Sequence, residues 1–216
     1  MRPGSCAHAA HTLHRLIRYA LGVSAYDAIA RPNSLSVPQR RALGVGLFLS
    51  LMSLSALFQI PMPPDGVPQT LQSLVAILAA LSLGPRFGAL SMALYVLIGA
   101  LGAPIYARGD AGLAVLIGQT GGFLVGFIAA QPVVSVLVRR RDGRARGWLG
   151  LVLAVVLGHA VIFAFGVPWL AYVRGFSMPR AMEGACYPFL PGMAIKAALA
   201  VWIGRLVVPW SIRRVW

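Results

Sequence analysis

The chain has 216 residues, of which 58% are hydrophobic and only 11% charged, and its mean hydropathy is +0.77. A soluble domain carries roughly 25% charged residues, so this composition excludes an ordinary soluble protein and argues for an integral membrane one. The formal charge of +14 does not mark a nucleic-acid binder, because the arginines fall mostly between long apolar runs and leave no soluble basic face.

Residues 1–40 are a polar extension rich in Arg and His, read as a cytoplasmic tail ahead of a membrane domain at 41–216. Its longest apolar run, Tyr19 to Val23, is too short for a secretory signal. His8, His11 and His14 recur every three residues, which would put them on one helical face, but a solvated tail is the favoured reading and no metal site is expected. Cys6 and Cys186 make no disulfide framework.

A bilayer core takes about 20 apolar residues per helix, and six spans fit after residue 40. Span 1 covers about 41–60. Ala42, Gly46 and Ser50 sit four apart in it, a spacing that lets another helix approach closely in lipid. A proline-rich loop at 61–69 holds Asp65. Span 2 covers about 70–83 and opens with Thr70, Gln72 and Ser73, polar groups that need partners in lipid and predict a cavity between helices. Pro85 ends it.

Span 3 covers about 87–101 and carries Tyr95. A glycine-rich loop at 102–117 holds Arg108 and Asp110. With acids so scarce, a charged pair between two apolar spans points to a site. Span 4 covers about 118–138. Its start, Gly118-Gln119-Thr120-Gly121-Gly122, leaves backbone amides accessible to a close-approaching group. The loop 139–147 has five arginines. Span 5 covers about 148–167, with His159 expected in a structural, interhelical role. A loop follows at 168–185, and span 6 covers about 191–208.

Lys196, the sole lysine, lies just past the start of span 6. A helix N-terminus favours anions, so lysine and helix start together could receive a carboxylate. Snorkelling of the ammonium to the interface is the alternative, and binding is favoured over it.

With the N-terminus inside, Arg2, Arg15, Arg18, Arg31, Arg40, Arg41, Arg86, the loop arginines 139, 140, 141, 144 and 146, and Arg205, Arg213 and Arg214 all face the cytoplasm. Arg108, Arg174 and Arg180 alone remain in outer loops. The positive-inside rule therefore predicts an all-α membrane protein of six transmembrane helices with both termini cytoplasmic. No GxSxG, Walker, HExxH or CxxC pattern is present, so neither an enzyme nor an ATPase is expected. Functional polar groups gather at the outer ends of the spans: Gln72, Tyr95, Arg108, Asp110, Gln119, Thr120, Gly121 and Lys196.

Four segments carry a resemblance: QIPMPPDGVPQTLQSL (59–74), LGPRFGALSMALYVLIGALGAPIY (83–106), GQTGGFLVGF (118–127) and YPFLPGMAIKAALA (187–200). In order and spacing they resemble the BioY family, the biotin-specific substrate-binding S components of energy-coupling-factor transporters. The resemblance implies six helices in the cell membrane, biotin bound near the outer side, a span 1–2 loop that gates the ligand, and no cofactor. It implies a membrane coupling subunit and two cytoplasmic ATPases as partners, although solitary action is also reported. Ala42, Gly46 and Ser50 would stand in for the docking motif, and Lys196 for the family's lysine. Met193 occupies a position where the family commonly has aspartate, and methionine accepts hydrogen bonds only weakly. Other readings are an S component for another vitamin or a metal, although a nickel or cobalt subunit would carry histidine where Arg2 stands, and a membrane enzyme or scaffold.

Overall fold

The structure is a computed structural model that describes residues 35–61, 67–140 and 142–215. Residues 1–34 of the extension read as 1–40, with its histidines and Cys6, and Asp65 lie outside the described residues, and the first described helix begins within that extension, at Val37.

Helix α1 is Val37–Leu57, and a minimal antiparallel ribbon follows, β1 (Gln59–Ile60) against β2 (Gln69–Thr70), with Gln59 opposite Thr70. Helical stretch α2, Gln72–Ala100, is broken at Gly84, whose φ of 77° and ψ of −177° no helix contains. Glycine alone reaches that conformation without a Cβ penalty. The break reverses the chain. Twenty-three residues of straight helix would rise roughly 35 Å, yet the side chains of Gln72 and Tyr95 hydrogen bond to each other. Ala79 and Gly88 likewise face across the turn. α2 is thus two antiparallel arms, 72–83 and 85–100.

The turn frees backbone acceptors, and neighbouring helices supply the missing donors. Pro85 has no N–H to offer the carbonyl of Leu81; the Ser211 hydroxyl donates to it at 3.1 Å. Ser135 Oγ donates to Ala80 O at 3.0 Å, and Gln131 Nε2 to Ala76 O at 3.0 Å. Ser91 Oγ reaches Val45 O on α1 at 3.0 Å. In a bilayer such groups have no water to fall back on, so these bonds tie the other helices to the reversed pair.

After a tight turn at Ala107–Gly109 come the short α3 (Leu113–Ile117), α4 (Gly121–Val138) and α5 (Trp148–Arg174). α4 and α5 approach so closely that a Cβ on Gly126 would lie 2.9 Å from Ile162 O, and one on Gly122 would strike Trp169 and the Phe165 carbonyl. Small residues at a seam are how helices associate in lipid. Gly175, with φ of 62°, ends α5 in a left-handed cap. Helix α6 (Met178–Ala185), a turn at Tyr187–Phe189 and helix α7 (Leu190–Arg214) complete the described chain.

Five helical stretches are long and apolar enough to cross a membrane: Val37–Leu57, Gln72–Ala100, Gly121–Val138, Trp148–Arg174 and Met178–Arg214. Element boundaries differ from the sequence reading in three places. α5 continues through Pro168 to Arg174, and the segment read as a loop after it contains α6. The loop at 102–117 contains α3. A proline within a membrane helix is a weaker stop than its chemistry predicts, because neighbouring groups satisfy the carbonyl it abandons. At one end of the bundle Arg41 Nε donates to Val215 O at 2.7 Å and its guanidinium sits 4.9 Å over the Phe87 ring. The starts of α1 and of the second arm therefore meet the end of α7.

Candidate functional site

The opposite end of the helices opens into a cavity, about 660 Å³ when the open space at its mouth is included. Val67 and Pro68, just ahead of β2, and Tyr106 and Ala107, after the second arm of α2, form part of its rim. The rest comes from Val115 of α3, the first two turns of α2, α4 and α7, and Ile162 and Phe163 of α5.

One wall is polar. Lys196 is 7% exposed, and its Nζ donates to Thr70 O at 2.7 Å and Ser73 Oγ at 3.4 Å. An ammonium has three donors, so these two bonds leave one direction available. Among the described residues no carboxylate lines the cavity, and the described salt bridges, Arg108–Asp110 and Arg140–Asp142, do not involve this lysine. A buried cation without an acidic partner is costly, and a bound anion offsets that cost. Thr70 is fixed from its other side: Thr70 Oγ1 donates to Gln72 Oε1 at 3.0 Å, Gln72 Nε2 donates to Tyr95 Oη, and Tyr95 Oη donates to Ile105 O at 3.0 Å. The chain of bonds runs from the cavity back into the helix pair.

The other wall is aromatic. Phe163 stands edge-on to Phe123 at 6.1 Å and to Phe189 at 5.9 Å. Phe127, Leu124 and Ile162 also line the cavity, as does Met193, one turn before Lys196. Edge-to-face contacts of this kind suit rings and leave an apolar face toward the cavity. Gly166 makes the arrangement possible, because a Cβ there would enter the Phe123 ring.

Of the residues singled out from the sequence, Lys196, Thr120 and Gln72 line the cavity. Tyr95 is fully buried one layer behind it, edge-on to Tyr106 at 5.5 Å. Gly121 lies under the entry turn, where a Cβ would collide with Leu116 O, and Gln119 is half-buried in the same turn. That turn is pinned by Trp169, whose Nε1 donates to Gly118 O at 2.8 Å. Arg108 and Asp110 pair with each other at 3.3 Å, with side chains 61% and 45% exposed. They lie on the turn whose Ala107 faces the cavity, outside its lining. Ala42, Gly46 and Ser50 are all exposed on α1, and no atom lies within 4 Å of a Cβ built on Gly46. His159 bonds within its own helix, its Nδ1 2.9 Å from Val155 O, rather than between helices. Among the described residues no cluster of His, Cys, Asp or Glu could hold a metal.

Sequence reasoning missed the aromatic wall. Phenylalanines in an apolar helix read the same whether they face lipid or a cavity, and the only hint was their recurrence near the polar span starts.

Residues 28–213 match the family model described as the BioY family. A biotin transporter BioY of Thermotoga maritima is 38% identical over 178 residues, covering 81% of this chain and 99% of the relative. A probable biotin transporter BioY of Pyrococcus horikoshii is 36% identical over 161 residues, covering 74% and 91%. A crystal structure of the S-component for biotin from an ECF-type ABC transporter superposes with a TM-score of 0.71 at 23% identity, over 77% of this chain and 89% of that one.

Proposed function

The chain belongs to the BioY family, and from that premise we propose that it binds biotin as the substrate-capturing membrane subunit of a transporter. It works by binding and not by catalysis. The observation that carries the substrate is Lys196: a nearly buried ammonium with a spare donor and, among the described residues, no carboxylate in its cavity. The valerate carboxylate of biotin supplies that partner, in a charge-assisted bond stronger than a neutral one. The fused rings of the ligand then lie against Phe123, Phe127 and Phe163, and Thr120 and Gln72 are the polar groups within reach of the ureido edge.

The two arms of α2 count as separate crossings, which makes six spans with both ends on one side. The Gln72–Tyr95 bond supports the reversal, and the Arg41–Val215 bond supports the shared end. The arginines of the 139–147 loop and of the termini put that end in the cytoplasm, and the biotin cavity at the outer face of the cell membrane. The ribbon β1–β2 and the loop it carries are the gate. Partners are a membrane coupling subunit, docking on the exposed stripe of Ala42, Gly46 and Ser50, and two cytoplasmic ATPases that consume ATP on its behalf. The subunit itself carries no cofactor.

The test is thermal stability of the purified protein in detergent with and without biotin. A ligand that binds only the folded state stabilises by roughly 2.7 kcal/mol at a hundred times its dissociation constant. A biotin-specific rise in melting temperature supports the substrate. A folded protein that does not respond, but responds to another vitamin carboxylate, reassigns the cavity.

A further inference from the structure

A second cavity, about 610 Å³ including its mouth, lies at the opposite end of the bundle from the first. It is set between the end of α4, the start of α5 and the last turns of α7. Its walls are apolar, from Val138, Trp148, Leu151 and Val208, and two cations stand over them, Arg146 and Arg205. Arg146 is held in place. A Cβ on Gly150 would come within 2.6 Å of Arg146 Cβ and 3.0 Å of its Cδ, so the arginine folds across the first turn of α5 where no side chain stands. Its Nε donates to Arg139 O at 3.4 Å, which leaves the terminal nitrogens for another acceptor. Neither arginine takes part in a salt bridge among the described residues, and α5 has no acid in its first turn. The cleft opens to the surface beside Trp148, which is 68% exposed.

We propose that this cleft seats an anionic phospholipid, its phosphate between Arg146 and Arg205 and its acyl chain along Trp148, Leu151 and Val208. Charge complementarity selects the headgroup, and the apolar walls with Trp148 at their edge select a lipid over a soluble anion, because tryptophan settles at the membrane interface. Basic pockets between helices on the cytoplasmic side are where anionic headgroups bind. The assignment rests on the orientation proposed above and not on biotin.

The test uses the full chain in detergent with equal amounts of phosphatidylglycerol and phosphatidylcholine of the same acyl chains. Retained lipid is read by native mass spectrometry without biotin, so a failure of the biotin reading leaves this result standing. The expected result is preferential retention of phosphatidylglycerol by the wild type, a loss of about fivefold for Arg146→Gln or Arg205→Gln, and loss of the preference in the double variant. An unchanged melting temperature shows that the variants are folded. Equal retention of both lipids by the wild type overturns the proposal without recourse to any variant. So does a preference that survives in the double variant, or displacement of phosphatidylglycerol by millimolar inorganic phosphate, which would mark a soluble-anion site. Loss of co-purification with a coupling subunit in the double variant, with lipid retention unchanged, would make the cleft a protein-docking surface instead.

Discussion

The wall of Thr70, Gln72, Ser73 and Lys196 is held by directed hydrogen bonds, whereas the wall of Phe123, Phe163 and Phe189 is held by ring packing over a glycine seam. The difference decides how each responds to change. On the proposed reading the polar wall concentrates recognition in one cation, so a single substitution there should remove ligand affinity and leave the bundle standing. The aromatic wall is the inner surface of the α4–α5 contact, so disturbing it loosens the fold and the site together.

Lys196→Met makes the first half of that contrast testable and has the largest expected effect. Hydrogen bonds to charged groups are worth about 1.5–3 kcal/mol, so biotin affinity by calorimetry should fall between tenfold and somewhat over a hundredfold. The ligand-free melting temperature should hardly move, because the lost bonds to Thr70 and Ser73 are matched by removal of a buried charge. A large drop in ligand-free stability would instead make Lys196 a structural strut.

Gly122→Ala tests the second half. The added methyl meets Trp169 Cβ and the Phe165 carbonyl, and overpacking of this kind costs typically 1–3 kcal/mol. Melting temperature and biotin affinity should decline together. The control is Gly46→Ala, where open space surrounds the position and the melting temperature should stay level. If Gly122→Ala melts like the wild type, the seam is softer than its geometry and the two walls are not distinct in kind.

Much of this was legible before any coordinates, and for a physical reason: charges and strong polar groups are rare in lipid, so each one stands out. Lys196, Gln72 and Thr120 were readable as site groups for that reason, and Gly84-Pro85 as a turn. The phenylalanines were not, because facing direction in an all-apolar helix leaves no trace in residue type. Tyr95 was misplaced by one layer for the converse reason. Its polar end marks it as a binding group, but that end is already used by Gln72 and Ile105. Arg108 and Asp110 stood out by charge alone, and each has the other as partner at the surface.

Tyr95→Phe follows in size and probes the link between the walls and the helix pair. The phenol accepts from Gln72 and donates to Ile105 O at 3.0 Å. Removing it leaves a buried amide donor unmatched and should cost about 1–3 kcal/mol of stability. Biotin affinity should fall less than with Lys196→Met, since Gln72 is loosened but present. An affinity loss equal to that of Lys196→Met would place Tyr95 against the ligand and redraw the polar wall.

The smallest effect, and the one of opposite sign, belongs to Arg108→Gly. Arg108 holds a φ of 65° and a ψ of 10°, the left-handed region, on an exposed turn. That conformation costs a side-chain-bearing residue roughly 1–2 kcal/mol, and glycine removes the strain. Against it stand the extra freedom of glycine in the unfolded chain, about 0.4–1 kcal/mol, and the ion pair with Asp110, which solvent screening leaves at about 0–1 kcal/mol. The net is a rise in melting temperature that is small at most, with biotin affinity unchanged, because neither Arg108 nor Asp110 lines the cavity. Asp110→Asn separates the contributions: it removes the ion pair and keeps the strain, so it should be neutral or slightly destabilising. If Arg108→Gly instead weakens biotin binding, the strained turn closes on the ligand. The polar wall would then extend to this loop, and the strain would be held for binding instead of being a by-product of the turn.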